Sequence, residues 1–317
     1  MPKLLLIGPA TGEMVAALSG TFEVTRLNDL EDPEAWVNRH GAEIAYVGTN
    51  GHDGLKPTWM AAMPNLRLIS CYGVGYDAID AVHAAERGIL VTHTPNVLNA
   101  DVAGTAVLLM LACYRELLRD DAYVRSGRWA IEGSAALTRS PEKQRVGILG
   151  MGRIGQEIAR KLKAFDAEIS YHTRSEKDVP HQYFDSLVAM AEHVQCMIVI
   201  TPGGAATRHL VNEDVINALG PTGTLINVAR GSVVDEEALV LALENNRLGW
   251  AGLDVFEDEP NVPDRLRSLP NVALLPHAGS ATVETRAAMA ELTLGYLLHH
   301  AKEGTVFSPV PVCVDLR

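Results

Sequence analysis

Val146-Gly147-Ile148-Leu149-Gly150-Met151-Gly152-Arg153-Ile154-Gly155 is the stretch whose reading decides the fold. Residues 146–149 are apolar and read as a buried parallel strand. They run straight into G-x-G-x-x-G, and residues 156–165 follow with helical spacing. A glycine turn between a strand and a helix is a dinucleotide-binding fingerprint, which the same pattern in isolation is not. Each glycine has its own task. Gly150 lets the chain turn, Gly152 lets backbone N–H groups approach a pyrophosphate, and Gly155 lets the helix pack close to the strand. Arg153 and Ile154 stand at the start of the helix, where the dipole favours an anion.

The rest of the chain extends this unit in both directions. Strands are predicted downstream at 168–171, 197–201, 224–228, 250–255 and 272–276, with helices at 184–193, 212–219 and 235–245. That alternation describes a doubly wound parallel sheet. Upstream, strands are predicted at 3–7, 44–47, 66–70 and 89–93, with helical stretches near 14–18 and 33–39, making a first α/β unit over roughly residues 1–97. Residues 99–126 read as one long helix, closed by Ser126-Gly127-Arg128-Trp129, and 132–143 reads as a loop. A last helix over 282–302 is long enough to return to the first unit. The expected fold is therefore α/β with two Rossmann-like domains. A cofactor domain over 98–282 is inserted into a flavodoxin-like substrate domain of 1–97 plus 283–317, and the cleft between them is the default place for chemistry.

Composition narrows the function. The 317 residues suit about two domains. A 47% hydrophobic, 21% charged chain is ordinary for a protein with a large core. A formal net charge of -12 argues against non-specific nucleic-acid binding, because an acidic surface repels phosphate. Cys71, Cys113, Cys196 and Cys313 are scattered and form no C-x-x-C, which reads as reduced core thiols in a cytoplasmic protein, and no metal is expected. The apolar run after Met1 is too short for a signal peptide, and no stretch has the apolar length of a membrane span.

Three groups near strand ends of the second unit carry chemistry. Arg230 follows 224–228, Glu259 lies in the acidic run Glu257-Asp258-Glu259-Pro260, and His277 follows Pro276. Carboxyl ends of parallel strands face the ligand crevice, so a guanidinium, a carboxylate and an imidazole can meet there. Each also has a plainer reading. Arg230 could pair with Asp235, Glu259 could be a solvated loop residue, and His277 could be packed at a strand end. Beside a dinucleotide fold, the three together favour catalysis.

With these residues assembled, the chain resembles the D-isomer-specific 2-hydroxyacid dehydrogenases, most closely the glyoxylate/hydroxypyruvate reductase branch. The resemblance rests on Gly73-Val74-Gly75-Tyr76-Asp77-Ala78-Ile79-Asp80, the 150–155 turn, Asn227-Val228-Ala229-Arg230-Gly231, Leu253-Asp254-Val255-Phe256-Glu257-Asp258-Glu259-Pro260 and Pro276-His277-Ala278-Gly279-Ser280-Ala281-Thr282. It implies a homodimer joined through the cofactor domains. It also implies that Arg230 binds the substrate carboxylate and carbonyl oxygen, that His277 protonates that oxygen, and that Glu259 supports the imidazolium. Val74 and Gly75 would offer backbone N–H groups to the carboxylate, and Asn50 would line the pocket. Asp254 would lie by the nicotinamide end, Val228 and Gly279 would bind the cofactor, and Thr201, Pro202 and Thr207 would border the adenosine side. Trp129 is open to two readings, an arm into the partner's pocket or an anchor at a helix end.

One departure bears on the cofactor. A family member that uses NAD carries a carboxylate at the end of the second cofactor-domain strand, to accept from the ribose 2′-OH. Here that stretch is Tyr171-His172-Thr173-Arg174-Ser175, with no carboxylate. Thr173, Arg174 and Ser175 suit a 2′-phosphate, so NADPH is expected, with NADH at lower affinity. The resemblance thus implies reduction of small 2-oxo acids, glyoxylate and hydroxypyruvate first. Bulkier 2-oxo acids such as hydroxyphenylpyruvate, or a nucleotide-sensing corepressor-like role, are the alternatives.

Overall fold

In the computed structural model, which describes residues 1–316, the chain forms two compact units. One comprises Met1–Leu98 and the C-terminal segment from Val283; the other is Asn99–Thr282.

The first unit is built on β1 (Lys3–Leu6), β2 (Glu23–Arg26), β3 (Ile44–Asn50), β4 (Leu68–Tyr72) and β5 (Leu90–Thr92). They form one parallel sheet in the flavodoxin-like order β2-β1-β3-β4-β5. Leu4, Leu5, Ile44, Val47, Leu68, Ile69 and Val91 are buried without measurable exposure or nearly so, as strands covered on both faces require. The helix Val283–Glu303 completes this core with Tyr296 and Leu297. β2 carries no apolar signal: its sequence is Glu-Val-Thr-Arg and it pairs only with β1, at the edge of the sheet. An edge strand with one bonded side can be polar, so periodicity passes over it.

The second unit holds β6 (Arg145–Leu149), β7 (Glu168–His172), β8 (Gln182–Tyr183), β9 (Cys196–Val199), β10 (Thr224–Asn227), β11 (Trp250–Leu253) and β12 (Val272–Leu274). The parallel order is β12-β11-β10-β9-β6-β7-β8. Strand order reverses between β6 and β9, the switch point of a doubly wound sheet. The 150–155 turn leaves the sheet there. The helix Arg153–Leu162 buries Gly155, Ile158, Ala159 and Leu162 on one face. At ten residues it is too short to persist alone in water, so packing of this face on the sheet holds it.

Two local expectations are corrected. The span 99–126 is not one helix: Asn99–Tyr114 and Leu117–Arg125 are separated at Glu116, whose φ of 44° is left-handed. The Glu116 carboxylate binds the Arg119 guanidinium in the first turn of the second helix. A further short helix, Arg128–Glu132, follows Gly127 at φ 74° and carries Trp129, which is 60% exposed. The strands also stop earlier than their apolar runs. β9, β10, β11 and β12 end at Val199, Asn227, Leu253 and Leu274, and the residues beyond leave the ladder to form the turns described next.

Candidate active site

Gly150 follows β6 with φ 109°, and a Cβ on it would stand 2.8 Å from the carbonyl oxygen of Ile200. A Cβ on Gly155 would fall on the carbonyl of Gly150, so the helix approaches the turn as closely as backbone allows. Nothing lies within 4 Å of where a Gly152 Cβ would be, and Gly152 caps the helix Arg153–Leu162 without a side-chain hydrogen bond. Open space before uncapped N–H groups at the positive end of a helix fits a pyrophosphate. Arg153 is exposed beside it and Ile154 is half-buried.

The turn after β7 is held from inside. His172 donates from Nδ1 to the Phe184 carbonyl at 2.8 Å, and the Tyr183 hydroxyl donates to the Thr173 carbonyl at 3.2 Å. The Thr173 hydroxyl donates to the Ser175 carbonyl at 2.7 Å, so its proton is used within the turn. Arg174 and Ser175 are exposed. A cation on a braced turn, with no carboxylate from His172 to Ser175, fits a phosphate better than a ribose 2′-OH.

Beyond β9, Thr201 is half-buried and Pro202 exposed, and the Thr207 hydroxyl closes the loop by donating to the carbonyls of Pro202 at 2.8 Å and Gly204 at 3.2 Å. Beyond β10, Val228 is buried, with its N–H on the Val199 carbonyl. Asn227 shapes the next turn: its Oδ1 accepts from Ala229 N at 3.1 Å and its Nδ2 donates to the Arg230 carbonyl at 3.0 Å. Arg230, half-buried, donates from Nη1 to the Ala229 carbonyl at 2.8 Å. A Cβ on Gly231 would fall on the carbonyl group of Phe256, so this glycine lets the turn of Arg230 lie against the loop that carries Glu259.

That loop leads to the imidazole. Glu259 accepts from Phe256 N with Oε1 at 3.0 Å and meets His277 Nδ1 with Oε2 at 2.7 Å. The carboxylate side chain is 17% exposed and the imidazole 41%. His277 Nε2 has no hydrogen bond to the described residues, so the pairing leaves that nitrogen for a ligand. Asp254 fixes the backbone that follows. Its carboxylate, on a residue only 2% exposed, accepts from Ala278 N at 2.6 Å and Gly279 N at 2.8 Å. Burial pushes its carboxyl above the ordinary value, while those two N–H groups, and then His277, pull it back. Asp254 therefore acts on the imidazole through the 277–279 turn, and the Gly279 N–H points at Asp254.

In the first unit, Asn50 folds its side chain back into its own loop. Oδ1 accepts from His52 N and Asp53 N at 2.8 Å each, and Nδ2 donates to Asp53 Oδ2 at 2.6 Å. The N–H groups of Val74 and Gly75 make no hydrogen bond among the described residues.

A model of the D-isomer specific 2-hydroxyacid dehydrogenase NAD binding domain matches residues 107–279. The chain belongs to the D-isomer-specific 2-hydroxyacid dehydrogenase family. Glyoxylate/hydroxypyruvate reductase A of Arabidopsis thaliana is 41% identical over 308 residues, covering 97% of this chain and 98% of that one. Hydroxyphenylpyruvate reductase of Plectranthus scutellarioides is 46% identical over 308 residues, with the same coverage. The solved structure of an NADPH-dependent glyoxylate/hydroxypyruvate reductase from Sinorhizobium meliloti, in complex with NADP and malonate, is 44% identical, with a TM-score of 0.91 over 98% of each chain.

Three features of this 2-hydroxyacid dehydrogenase take their meaning only from tertiary contacts. Gly231 matters through contact with Phe256. Arg208 and His209 both reach Glu257 Oε1, at 2.7 and 2.9 Å, tying the 201–209 loop to the loop of Glu259. His93 is a lone histidine after β5, and only the sheet reveals its neighbour. No helix among the described residues is long and apolar enough to cross a membrane.

Proposed function

We propose that the chain is an NADPH-preferring reductase that converts small 2-oxo acids, glyoxylate and hydroxypyruvate foremost, to D-2-hydroxy acids. The observation that carries this reading is the His277–Glu259 pair at 2.7 Å, with Arg230 held against the same loop through Gly231. The Arabidopsis thaliana and Sinorhizobium meliloti proteins are named glyoxylate/hydroxypyruvate reductases, and the latter is described as NADPH-dependent. The open Gly152 turn and the exposed Arg174 suit a dinucleotide with a 2′-phosphate.

When bound, the dihydronicotinamide supplies a hydride to the substrate carbonyl carbon. Arg230 presents a planar fork of donors to the carboxylate and carbonyl oxygen, polarising the carbonyl. The Val74 and Gly75 amides, which bond nothing among the described residues, serve as further donors for the substrate carboxylate. His277, doubly protonated, gives its Nε2 proton to the carbonyl oxygen, and Glu259 stabilises the imidazolium until then. In oxidation the neutral imidazole takes the proton back.

Two finer readings accompany it. A homodimer through the cofactor domain is supported by exposed apolar side chains that water disfavours: Leu117, Leu118, Val124, Trp129, Ile131 and Leu137. A cytoplasmic location is supported by four cysteines that are all free and buried.

The test follows reduced-nicotinamide absorbance with NADPH or NADH against a panel of 2-oxo acids. Turnover of glyoxylate and hydroxypyruvate, faster with NADPH, is expected. The Plectranthus scutellarioides relative makes hydroxyphenylpyruvate the competing substrate in that panel. No turnover of any 2-oxo acid overturns the reading.

A further inference from the structure

We propose that His93 is a positioning residue for the substrate carboxylate, acting through the carbonyl of Val74. This rests on the function proposed above. The loop after β4 has each of its carbonyls tied inward. Gly73 O accepts from Thr94 N at 2.8 Å, Val74 O lies 3.0 Å from His93 Nδ1, and Gly75 O accepts from Cys71 Sγ at 3.5 Å.

A trans peptide unit is planar, with its C=O and N–H pointing opposite ways. Tying the carbonyl of one residue therefore sets the direction of the next residue's N–H. The Thr94 bond directs Val74 N–H, the His93 bond directs Gly75 N–H, and the Cys71 contact directs Tyr76 N–H. None of these three N–H groups makes a hydrogen bond to the described residues. Successive N–H groups turned the same way form a concavity for an anion. Because an unbonded carbonyl could rotate into that concavity and repel a carboxylate, the inward ties decide its sign.

His93 is the one side chain in this set whose removal frees Val74 O without touching the loop's own sequence. β4 and β5 are paired, with Ser70 opposite Thr92, so the residue after β5 lies beside the loop after β4. The ring is fixed further by an edge contact with Tyr76, centroids 5.6 Å apart at 90°. A carbonyl accepts, so Nδ1 carries a proton whether the ring is neutral or charged, and the tie holds in both states.

The experiment compares His93→Phe, which keeps the ring on Tyr76 and removes the donor, with His93→Asn, whose amide N–H occupies the place of Nδ1. Steady-state reduction of glyoxylate with NADPH and inhibition by oxalate are measured in both. His93→Phe is expected to raise the KM for glyoxylate and the Ki for oxalate together by about tenfold. Its kcat should stay within about twofold and its KM for NADPH unchanged. His93→Asn should return both constants to within about threefold of wild type. Unchanged KM and Ki in His93→Phe, a fall in kcat alone, or His93→Asn as impaired as His93→Phe overturns the proposal. If His93→Phe fails to fold, His93→Gln replaces it, with its donor one methylene too far, and the same outcomes decide. A wild type that reduces no 2-oxo acid sinks the proposed function instead; oxalate affinity of the NADP-saturated wild type and His93→Phe then decides this inference by itself.

Discussion

His277 Nδ1 and Glu259 Oε2 lie 2.7 Å apart, and the other oxygen of that carboxylate is anchored on Phe256 N at 3.0 Å. A carboxylate anchored through one oxygen orients the ring through the other. Reduction consumes the proton that His277 gives to the carbonyl oxygen, and oxidation returns it. Glu259→Gln removes the negative charge beside the ring, so kcat for reduction should fall by about tenfold. His277→Ala should cost roughly 10²–10⁴ in rate. Wild-type turnover in Glu259→Gln would sink the pairing as a functional one.

Arg230→Lys keeps the charge and loses the two-pronged geometry. The kcat/KM for glyoxylate should drop at least about tenfold, with the KM for NADPH nearly unchanged. Wild-type kinetics in this variant would mean that another residue holds the carboxylate.

Arg174 stands exposed on a turn where the His172 ring and the Thr173 hydroxyl are each tied to a backbone carbonyl. Arg174→Ala should weaken NADPH by about tenfold to a hundredfold and leave NADH little changed. Titrating each cofactor in both proteins checks this; equal losses for the two cofactors contradict it.

Gly231→Ala is a packing test of the same loop. The added methyl group meets the Phe256 carbonyl, which cannot rotate away as a side chain would. Overpacking here should lower stability by about 1–3 kcal/mol. Because the displaced loop carries Glu259, kcat should fall even at temperatures where the variant is fully folded. Full activity in the folded variant would show that the loop position does not matter to the imidazole.

The cysteines give a prediction independent of catalysis. Burial pushes the Cys113 thiol up to about 12 and raises Cys196 and Cys313 as well. A thiolate reagent at mild alkaline pH should react with none of the four cysteines in the native protein and with all four after denaturation. The folded values lie above the ordinary thiol value of 9.0, so the stability these groups contribute is full below that pH. It should be lost progressively as pH rises from there toward about 12. Rapid native labelling would contradict the burial.

Much of this protein is legible along the chain because the signals are local. The Gly150–Gly155 spacing, the apolar runs of β6 and β9 to β12, and the positions of Arg230, Glu259 and His277 just past strand ends need no tertiary information. Local signals fail where a segment takes its structure from a neighbour. β2 exists because β1 offers it a bonded edge, and residues 99–126 break at Glu116 although their composition suits a continuous helix.

The sequence by itself determined the parallel α/β architecture, the glycine turn and which catalytic groups are present, since strand and helix periods and a turn's need for glycine act over a few residues. Only the tertiary structure decided what those groups do to each other. Glu259 reaches His277 across 18 residues, Asp254 reaches Ala278 across 24, and His93 reaches Val74 across 19. Such pairs form because strands distant in sequence lie side by side in a sheet: β11 beside β12 for the first two and β4 beside β5 for the third. Sheet adjacency is set by burial of the whole core, which no local stretch encodes.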